Sequence, residues 1–199
     1  MGCRLRRLVG LISGMLVLWA GGSSAFAVHP DPPPWVPLAT GNKAPRFVLT
    51  TLTGGSWSLA AAHGHVIWLI FLTSWCSWCG AQARWLVDAG KRSPHPPTIV
   101  VVDESESRWR AEYGLETAHA WPAAVPIVLD QQGEVARRYG VQAYPTSYFI
   151  AANGTIRGVY LGPILRWRLL TPYLHRAGWP ADAQIRRDQR KPAKRNAMR

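Results

Sequence analysis

The stretch Trp75-Cys76-Ser77-Trp78-Cys79 decides the fold, because the hydrophobic period of the chain changes on either side of it. Shortly before it comes an apolar run, Val66-Ile67-Trp68-Leu69-Ile70-Phe71-Leu72. The length of this run and its β-branched and aromatic content are typical of a buried strand. After it, apolar residues recur at helical spacing, at Cys79, Ala83, Leu86 and Val87. The two cysteines therefore lie where a strand ends and a helix begins.

A cysteine pair at the start of a helix is suited to redox chemistry. The first N–H groups of a helix have no internal partners and the helix dipole favours negative charge there, so a thiolate at Cys76 is stabilised. Residues three apart share a helix face, so Cys79 can reach Cys76 and close a disulfide. A redox-active pair is the first interpretation, with a structural bridge and half of a zinc site as the alternatives.

The cysteine count favours the redox interpretation over both alternatives. Cys3 lies in an N-terminal segment that we expect to be removed, which leaves only Cys76 and Cys79. A disulfide framework usually needs several bridges, and a structural zinc site needs four ligands. His63 and His65 precede the predicted strand and are expected at its far end from the cysteines. We therefore expect no metal and no cofactor.

The ends of the chain predict export. Residues 1–27 combine a basic start, a 13-residue apolar stretch at 8–20 and the small-x-small sequence Ala25-Phe26-Ala27. Since a membrane span needs about 20 apolar residues, a cleaved signal peptide is the first interpretation and a retained N-terminal anchor the second. We expect a periplasmic or otherwise extracytoplasmic protein, with membrane contact only if this segment is retained.

The formal charge of +12 is concentrated at the ends of the chain. Residues 182–199 hold seven Lys or Arg against two Asp, and few apolar residues. This composition favours a solvated, disordered tail over a nucleic-acid-binding surface. The predicted domains are a signal peptide or anchor at 1–27, a proline-rich lead-in at 28–42, a folded domain at 43–178 and a basic tail at 179–199.

The folded domain is expected to be α/β. Strands are predicted at 47–50, 66–73, 98–102, 127–129, 146–151 and 155–161, and a further short one near Trp57 and Leu59. Helices are predicted at 76–90, 105–113 and 134–139, and from Pro163 to just before Gly178. Ala152-Asn153-Gly154 predicts a hairpin between the last two strands, because Asn-Gly tolerates positive φ.

Pro145-Thr146 is a second landmark, since a proline at the start of a strand belongs at an edge, a bulge or a cis turn. The order strand, Cys-x-x-Cys helix, strand, helix, Pro-Thr, hairpin and helix resembles the thioredoxin fold. Four further motifs resemble the TlpA/ResA-like exported thiol-disulfide oxidoreductases: Ala44-Pro45-Arg46-Phe47, Gly54-Gly55, Asp130-Gln131-Gln132-Gly133 and Tyr139-Gly140-Val141. The resemblance spans roughly residues 43–176.

The resemblance implies a central mixed β-sheet flanked by helices, with an added N-terminal β-hairpin. It implies that Cys76 attacks a substrate disulfide and that Cys79 resolves the mixed disulfide. Pro145 would be cis beside the sulfurs, the Tyr144 backbone would be offered to the substrate, and Trp75 would shield the site. Trp78, between the cysteines, is either a partner-docking surface or a lid.

Two positions depart from the family pattern. Many relatives have Glu three residues after the second cysteine, where this chain has Gln82. Thioredoxin has a buried Asp six residues before the first cysteine, where this chain has Ile70. If the resolving thiol needs a base, neither familiar position supplies it.

The sequence thus predicts a protein-disulfide oxidoreductase. By resemblance it is a reductant of partner proteins, for example in the maturation of cytochrome c or copper centres, supplied by a membrane-embedded electron donor. One alternative is a non-catalytic assembly module that binds Cu(I) through its thiolates. Another is a thiol peroxidase: Thr73 and Cys76 have the spacing of the peroxidatic motif, but Leu69 stands where that motif has proline. The direction of electron flow depends on the reduction potential.

Overall fold

The computed structural model describes residues 36–90, 97–117 and 125–179 of the 199-residue chain. The predicted signal peptide at 1–27, most of the proline-rich lead-in and nearly all of the basic tail lie outside these residues. Within them the strands form one seven-stranded mixed sheet, in the order β2-β1-β5-β4-β3-β6-β7. The strands are β1 (Val48–Thr51), β2 (Ser56–Ser58), β3 (Ile67–Leu72), β4 (Thr98–Glu104), β5 (Ile127–Asp130), β6 (Thr146–Ile150) and β7 (Ile156–Leu161).

The helices are connections that pack on both faces of this sheet. They are α1 (Ser77–Gly90), α2 (Arg108–Ala111), α3 (Glu134–Tyr139) and α4 (Trp167–Arg176). A π-helical turn (Glu112–Thr117) continues α2, and a short 3₁₀ helix (Leu59–Ala62) follows β2. Strands β3, β4 and β5 are parallel to one another, and the other pairings in the sheet are antiparallel.

Burial on both faces explains why β3 is apolar at every position. All six residues of β3 are buried. One core cluster contains Ile70 and Leu72 with residues of α1, α2 and α4. The opposite cluster contains Leu69 and Phe71 with residues of α3 and the 3₁₀ helix. A strand that is covered on both sides cannot alternate apolar and polar residues.

The predicted hairpins and their turns are present. β1 and β2 pair antiparallel across Gly54-Gly55, and both glycines have positive φ. β1 also pairs with β5, so the N-terminal hairpin extends the main sheet. β6 and β7 form the second hairpin, in which Gly154 has positive φ.

The last helix begins later than the sequence suggested. It starts at Trp167, four residues after Pro163, and Arg166 is still extended with φ −148° and ψ 135°. The reason is tertiary, because the backbone N–H of Ile164 donates to the buried Oε1 of Gln82 at 2.6 Å. A hydrogen bond to another helix holds this segment outside the helical conformation.

The helix predicted at 105–113 also differs in its bounds. Ser105 has a φ of +57°, so the helix cannot begin there. It begins at Arg108, where Ser107 caps it by accepting a hydrogen bond from the Arg110 N–H at 3.4 Å. Gly114 does not end it, because the π-helical turn continues through this residue to Thr117.

Candidate active site

The two cysteines occupy the junction between β3 and α1, as the hydrophobic period predicted. Cys76 directly precedes α1 and Cys79 lies in its first turn, and the two form a disulfide with a Cα–Cα distance of 5.2 Å. The backbone N–H of Cys79 points at Sγ of Cys76 at 3.2 Å. After reduction this N–H is placed to stabilise a thiolate on Cys76.

The two sulfur-bearing residues differ in accessibility. Cys76 retains 7% of its surface exposed, whereas Cys79 has none. An incoming thiolate or disulfide can therefore approach Cys76 and not Cys79. This asymmetry matches the roles that the family resemblance implies for the two cysteines.

The turn that contains Pro145 lies against the Cys76–Cys79 disulfide. The Tyr144–Pro145 peptide bond is cis, as expected from the resemblance. The carbonyl oxygen of Tyr144 lies 3.5 Å from Sγ of Cys76. The carbonyl oxygen of Pro145 accepts a hydrogen bond from the N–H of Gly162 at 2.8 Å, which ties this turn to the chain beyond β7. Residues 68 positions apart in sequence thus meet at the disulfide.

Two exposed tryptophans lie on either side of Cys76 in the chain. Trp75 is 69% exposed and Trp78 is 60% exposed. The Trp75 ring contacts the half-buried Tyr144 ring edge-on, with centroids 5.9 Å apart. Both indoles are therefore positioned beside Cys76 with most of their surface free for contact with another molecule.

Gln82 and Ile70, the two positions that depart from the family pattern, have structural roles here. Gln82 is fully buried, and its Oε1 holds the segment before α4 through Ile164. Its Nε2 has no hydrogen-bond partner among the described residues. Ile70 is buried in the core cluster that also contains Cys79. Neither residue can accept or release a proton at neutral pH.

A pair of buried acids that the sequence analysis missed lies at the end of β4. Glu106 is 5% exposed and accepts two hydrogen bonds from Ser74, from its N–H and its Oγ, both at 2.7 Å. Asp103 is 1% exposed, and its carboxyl group shares a hydrogen bond with the carboxyl group of Glu106. The sequence contains a signal for these acids, because residues at the carboxyl end of a buried strand parallel to β3 must lie at the edge of the sheet where β3 ends.

The environment of Asp103 favours its neutral form. Burial raises the pKa of Asp103 to about 9, and the nearby carboxyl groups of Glu106 and Glu104 act in the same direction. Asp103 is therefore protonated at pH 7 while the disulfide is closed.

The remaining candidate residues lie away from this site. His63 precedes β3 and lines a cleft with Lys43 and Asn153 at the opposite end of the sheet from the cysteines. In the part of the chain that the structure describes, no three His, Cys, Asp or Glu residues are grouped as metal ligands. In that same part, no helix has the length and hydropathy of a membrane span.

Comparison with known proteins agrees with this site. A model of the AhpC/TSA family matches residues 40–159. The thioredoxin-like protein YneN of Bacillus subtilis is 27% identical over 131 residues, which are 66% of this chain and 76% of that protein. The thiol-disulfide oxidoreductase ResA of Geobacillus thermodenitrificans is 28% identical over 130 residues, 65% of this chain and 73% of that protein.

A solved structure gives the same result for the fold. A protein of Chlorobium tepidum assigned as the thiol:disulfide interchange protein DsbE superposes with a TM-score of 0.62 at 29% identity. The match covers 70% of this chain and 98% of that one. The α/β thioredoxin fold expected from the sequence is thereby confirmed. The chain belongs to the AhpC/TSA family and is a thioredoxin-fold thiol-disulfide oxidoreductase similar to ResA.

Proposed function

We propose that this protein is exported and reduces disulfides in partner proteins through the Cys76–Cys79 pair. One observation carries the exchange chemistry: Cys76 alone of the two cysteines is accessible, and it faces the Tyr144 carbonyl next to a cis proline. Residues 1–27, which have the composition of a signal peptide or anchor, support the location.

The exchange runs in two steps from the reduced protein. The Cys76 thiolate, stabilised by the Cys79 N–H, attacks one sulfur of the substrate disulfide. A mixed disulfide forms and the other substrate sulfur leaves as a thiolate. Cys79 then attacks Cys76, which closes the protein disulfide and releases the second substrate thiol. Tyr144, whose carbonyl lies beside Cys76, offers its backbone to the bound substrate.

The charges around the site support a reductant. A disulfide protein oxidises strongly when its reduced form is stabilised, as by a well-stabilised thiolate. Here the buried carboxyl group of Glu106 holds Ser74, two residues before Cys76, and it disfavours further negative charge at the cysteines. The disulfide form is therefore favoured, and the dithiol gives up its electrons readily. A membrane-embedded dithiol donor would resupply them, and partner proteins in cytochrome c or metal-centre maturation would receive them.

Single cysteine substitutions test the exchange. Cys79→Ser leaves the attacking thiol but removes the resolving one, so we expect it to accumulate a covalent mixed disulfide with a disulfide-containing protein substrate. Cys76→Ser removes the accessible thiol and is expected to abolish exchange. Non-reducing gel electrophoresis and mass spectrometry of the adduct measure both. Exchange that persists in Cys76→Ser would remove the basis of the proposal.

The wild-type protein can also be assayed for the two alternative functions, Cu(I) binding and peroxide reduction. A Cu(I)-binding module would take up one copper ion per dithiol and show no exchange with a protein disulfide. A peroxidase would consume hydrogen peroxide faster than an ordinary thiol does. We expect neither behaviour from the wild-type protein.

The reduction potential tests the direction of electron flow. Equilibration in glutathione or dithiothreitol redox buffers should give a value closer to that of thioredoxin, about −270 mV, than to a strong oxidant at about −120 mV. The fraction of reduced protein can be followed by alkylation of the free thiols. A potential near the oxidising end would reverse the proposed role and leave the exchange chemistry intact.

Substitution of Trp78 distinguishes a partner-docking surface from a lid over the disulfide. If it docks partners, Trp78→Ala should raise KM for a protein disulfide by about tenfold, since exposed aromatic anchors carry much of the binding energy in interfaces. Reduction of a small disulfide should stay unchanged. Trp109→Ala is the matched control, because Trp109 is 69% exposed on α2 and is not part of the Cys-x-x-Cys segment. A lid would instead give faster reaction of both substrates in Trp78→Ala.

A further inference from the structure

We propose that Asp103 is the buried acid that gives a proton to the Cys79 sulfur when the disulfide opens and takes it back when the disulfide closes. The inference rests on the proposed exchange function. It assigns to a residue of β4 a task that neither Gln82 nor Ile70 can perform.

The register of the sheet places Asp103 on the same face as the disulfide. Side chains alternate along a strand, and Val101 belongs to the core cluster that contains Cys76 and Cys79. Asp103, two residues further, faces the same side. Its Cα is paired with that of Leu72, the last residue of β3, and Cys76 follows four residues later. Asp103 thus lies in the row of side chains at the edge of the sheet where α1 starts.

The carboxyl group of Asp103 is buried and shares a hydrogen bond with the carboxyl group of Glu106. A charged carboxylate in such a place is costly, and a neutral carboxyl has an O–H that needs an acceptor. While the disulfide is closed, the cluster presents no sulfur anion. When the disulfide opens, the Cys79 sulfur becomes the anion that such a donor would neutralise.

The groups around Asp103 keep its proton in place until then. Glu104, on the same strand, and Glu106, in the turn that follows it, oppose the ionisation of Asp103. Arg108, on α2, donates to the Leu52 carbonyl and lies 3.8 Å from Glu112, so its charge is engaged elsewhere. Neighbours in the core cluster from β3, β5, α1 and α2 carry no fixed charge: Ile70, Leu72, Leu129, Cys79 and Ala111.

Glu106 acts as a positioning residue in this arrangement. Its two hydrogen bonds to Ser74 fix the turn that leads into Cys76. The segment after α2 packs closely against this turn, because a Cβ on Gly114 would come within 2.3 Å of the Ser74 Cβ. The turn that carries the disulfide is therefore held against the same acidic segment that contains Asp103.

The proton and electron balance of reduction is as follows. A donor thiolate attacks the Cys76 sulfur, and a bond between donor and Cys76 forms as the Cys76–Cys79 bond breaks. The Cys79 sulfur takes the bonding electron pair, and the Asp103 O–H gives it the proton, which leaves a thiol and a carboxylate. A second donor thiol then releases Cys76 as thiolate and becomes the donor disulfide. In the reverse direction, the Asp103 carboxylate takes the proton from Cys79 as its sulfur attacks Cys76.

The substitution Asp103→Asn is expected to change how the free energy of unfolding depends on pH. In the unfolded chain the carboxyl has its ordinary pKa of 3.8, while in the folded disulfide form the pKa is about 9. Between these values the folded state binds more protons, so this residue lowers the free energy of unfolding as pH rises. We expect Asp103→Asn to gain stability relative to wild type from about pH 5 to about pH 9, measured by urea unfolding of the oxidised proteins. A constant difference would contradict the raised pKa.

The decisive experiment follows opening of the disulfide by dithiothreitol, read by tryptophan fluorescence of the full chain. At pH 7 we expect Asp103→Asn to slow reduction by about 100-fold, the low end of general acid catalysis. The deficit should shrink as pH approaches 9, where the wild-type residue also loses its proton. Glu134→Gln is the matched control: it removes an exposed carboxyl on α3, which packs on the opposite face of the sheet. It should leave the rate unchanged.

Two further measurements keep the outcome interpretable. Gln82→Glu in the Asp103→Asn background returns an acid to the position used by relatives and should recover part of the rate. The infrared difference spectrum of wild-type protein, reduced minus oxidised at about pH 8, should show the loss of a protonated carboxyl band that is absent in Asp103→Asn. Equal rates at pH 7 for wild type and Asp103→Asn, or no carboxyl band change in wild type, would overturn the proposal. Cys76→Ser tests the exchange function separately, since it does not involve Asp103.

Discussion

Strand β3 is hydrogen-bonded along both edges, parallel to β4 on one side and antiparallel to β6 on the other. Because of these two directions, the carboxyl ends of β3 and β4 and the amino end of β6 meet at one edge of the sheet. Cys76 follows β3, Asp103 is the next-to-last residue of β4 and Pro145 precedes β6, so the pairing of a single strand brings the three to the same edge of the sheet. All six residues of β3 are buried, so this strand is covered on both faces of the sheet.

The buried acids of this site lie on and after β4, next to the strand that leads into the disulfide. An acid at Gln82 or Ile70 would sit on α1 or β3, the two elements that carry the disulfide. In this chain those positions are used for packing and for holding the segment before α4. The acid is instead on the neighbouring strand, and a second acid, Glu106, anchors the turn before Cys76. Under our proposal, the proton of the Cys79 thiol is exchanged with Asp103 at this edge of the sheet.

Much of this could be predicted from local sequence. The change of period at Cys76 located the strand, the helix and the disulfide, and Asn153-Gly154 located the hairpin, since both depend on residues close together in the chain. The start of α4 was wrong because Ile164 is held by Gln82 from another helix. The acidic pair was missed because Asp103 and Glu106 resemble ordinary acids after a strand. Only the parallel pairing of β3 and β4 shows that they lie beside Ser74 and the disulfide.

The sequence by itself determined the reactive pair, the order of the elements and the landmark at Pro145, because spacing and hydrophobic period are carried by neighbouring residues. The tertiary structure decided which sulfur is accessible, that the Tyr144 carbonyl faces it, and that Asp103 is neutral. Accessibility, distance across the sheet and the cost of burying a charge are all set by residues far apart in the chain. They exist only after the strands have paired and the helices have covered them.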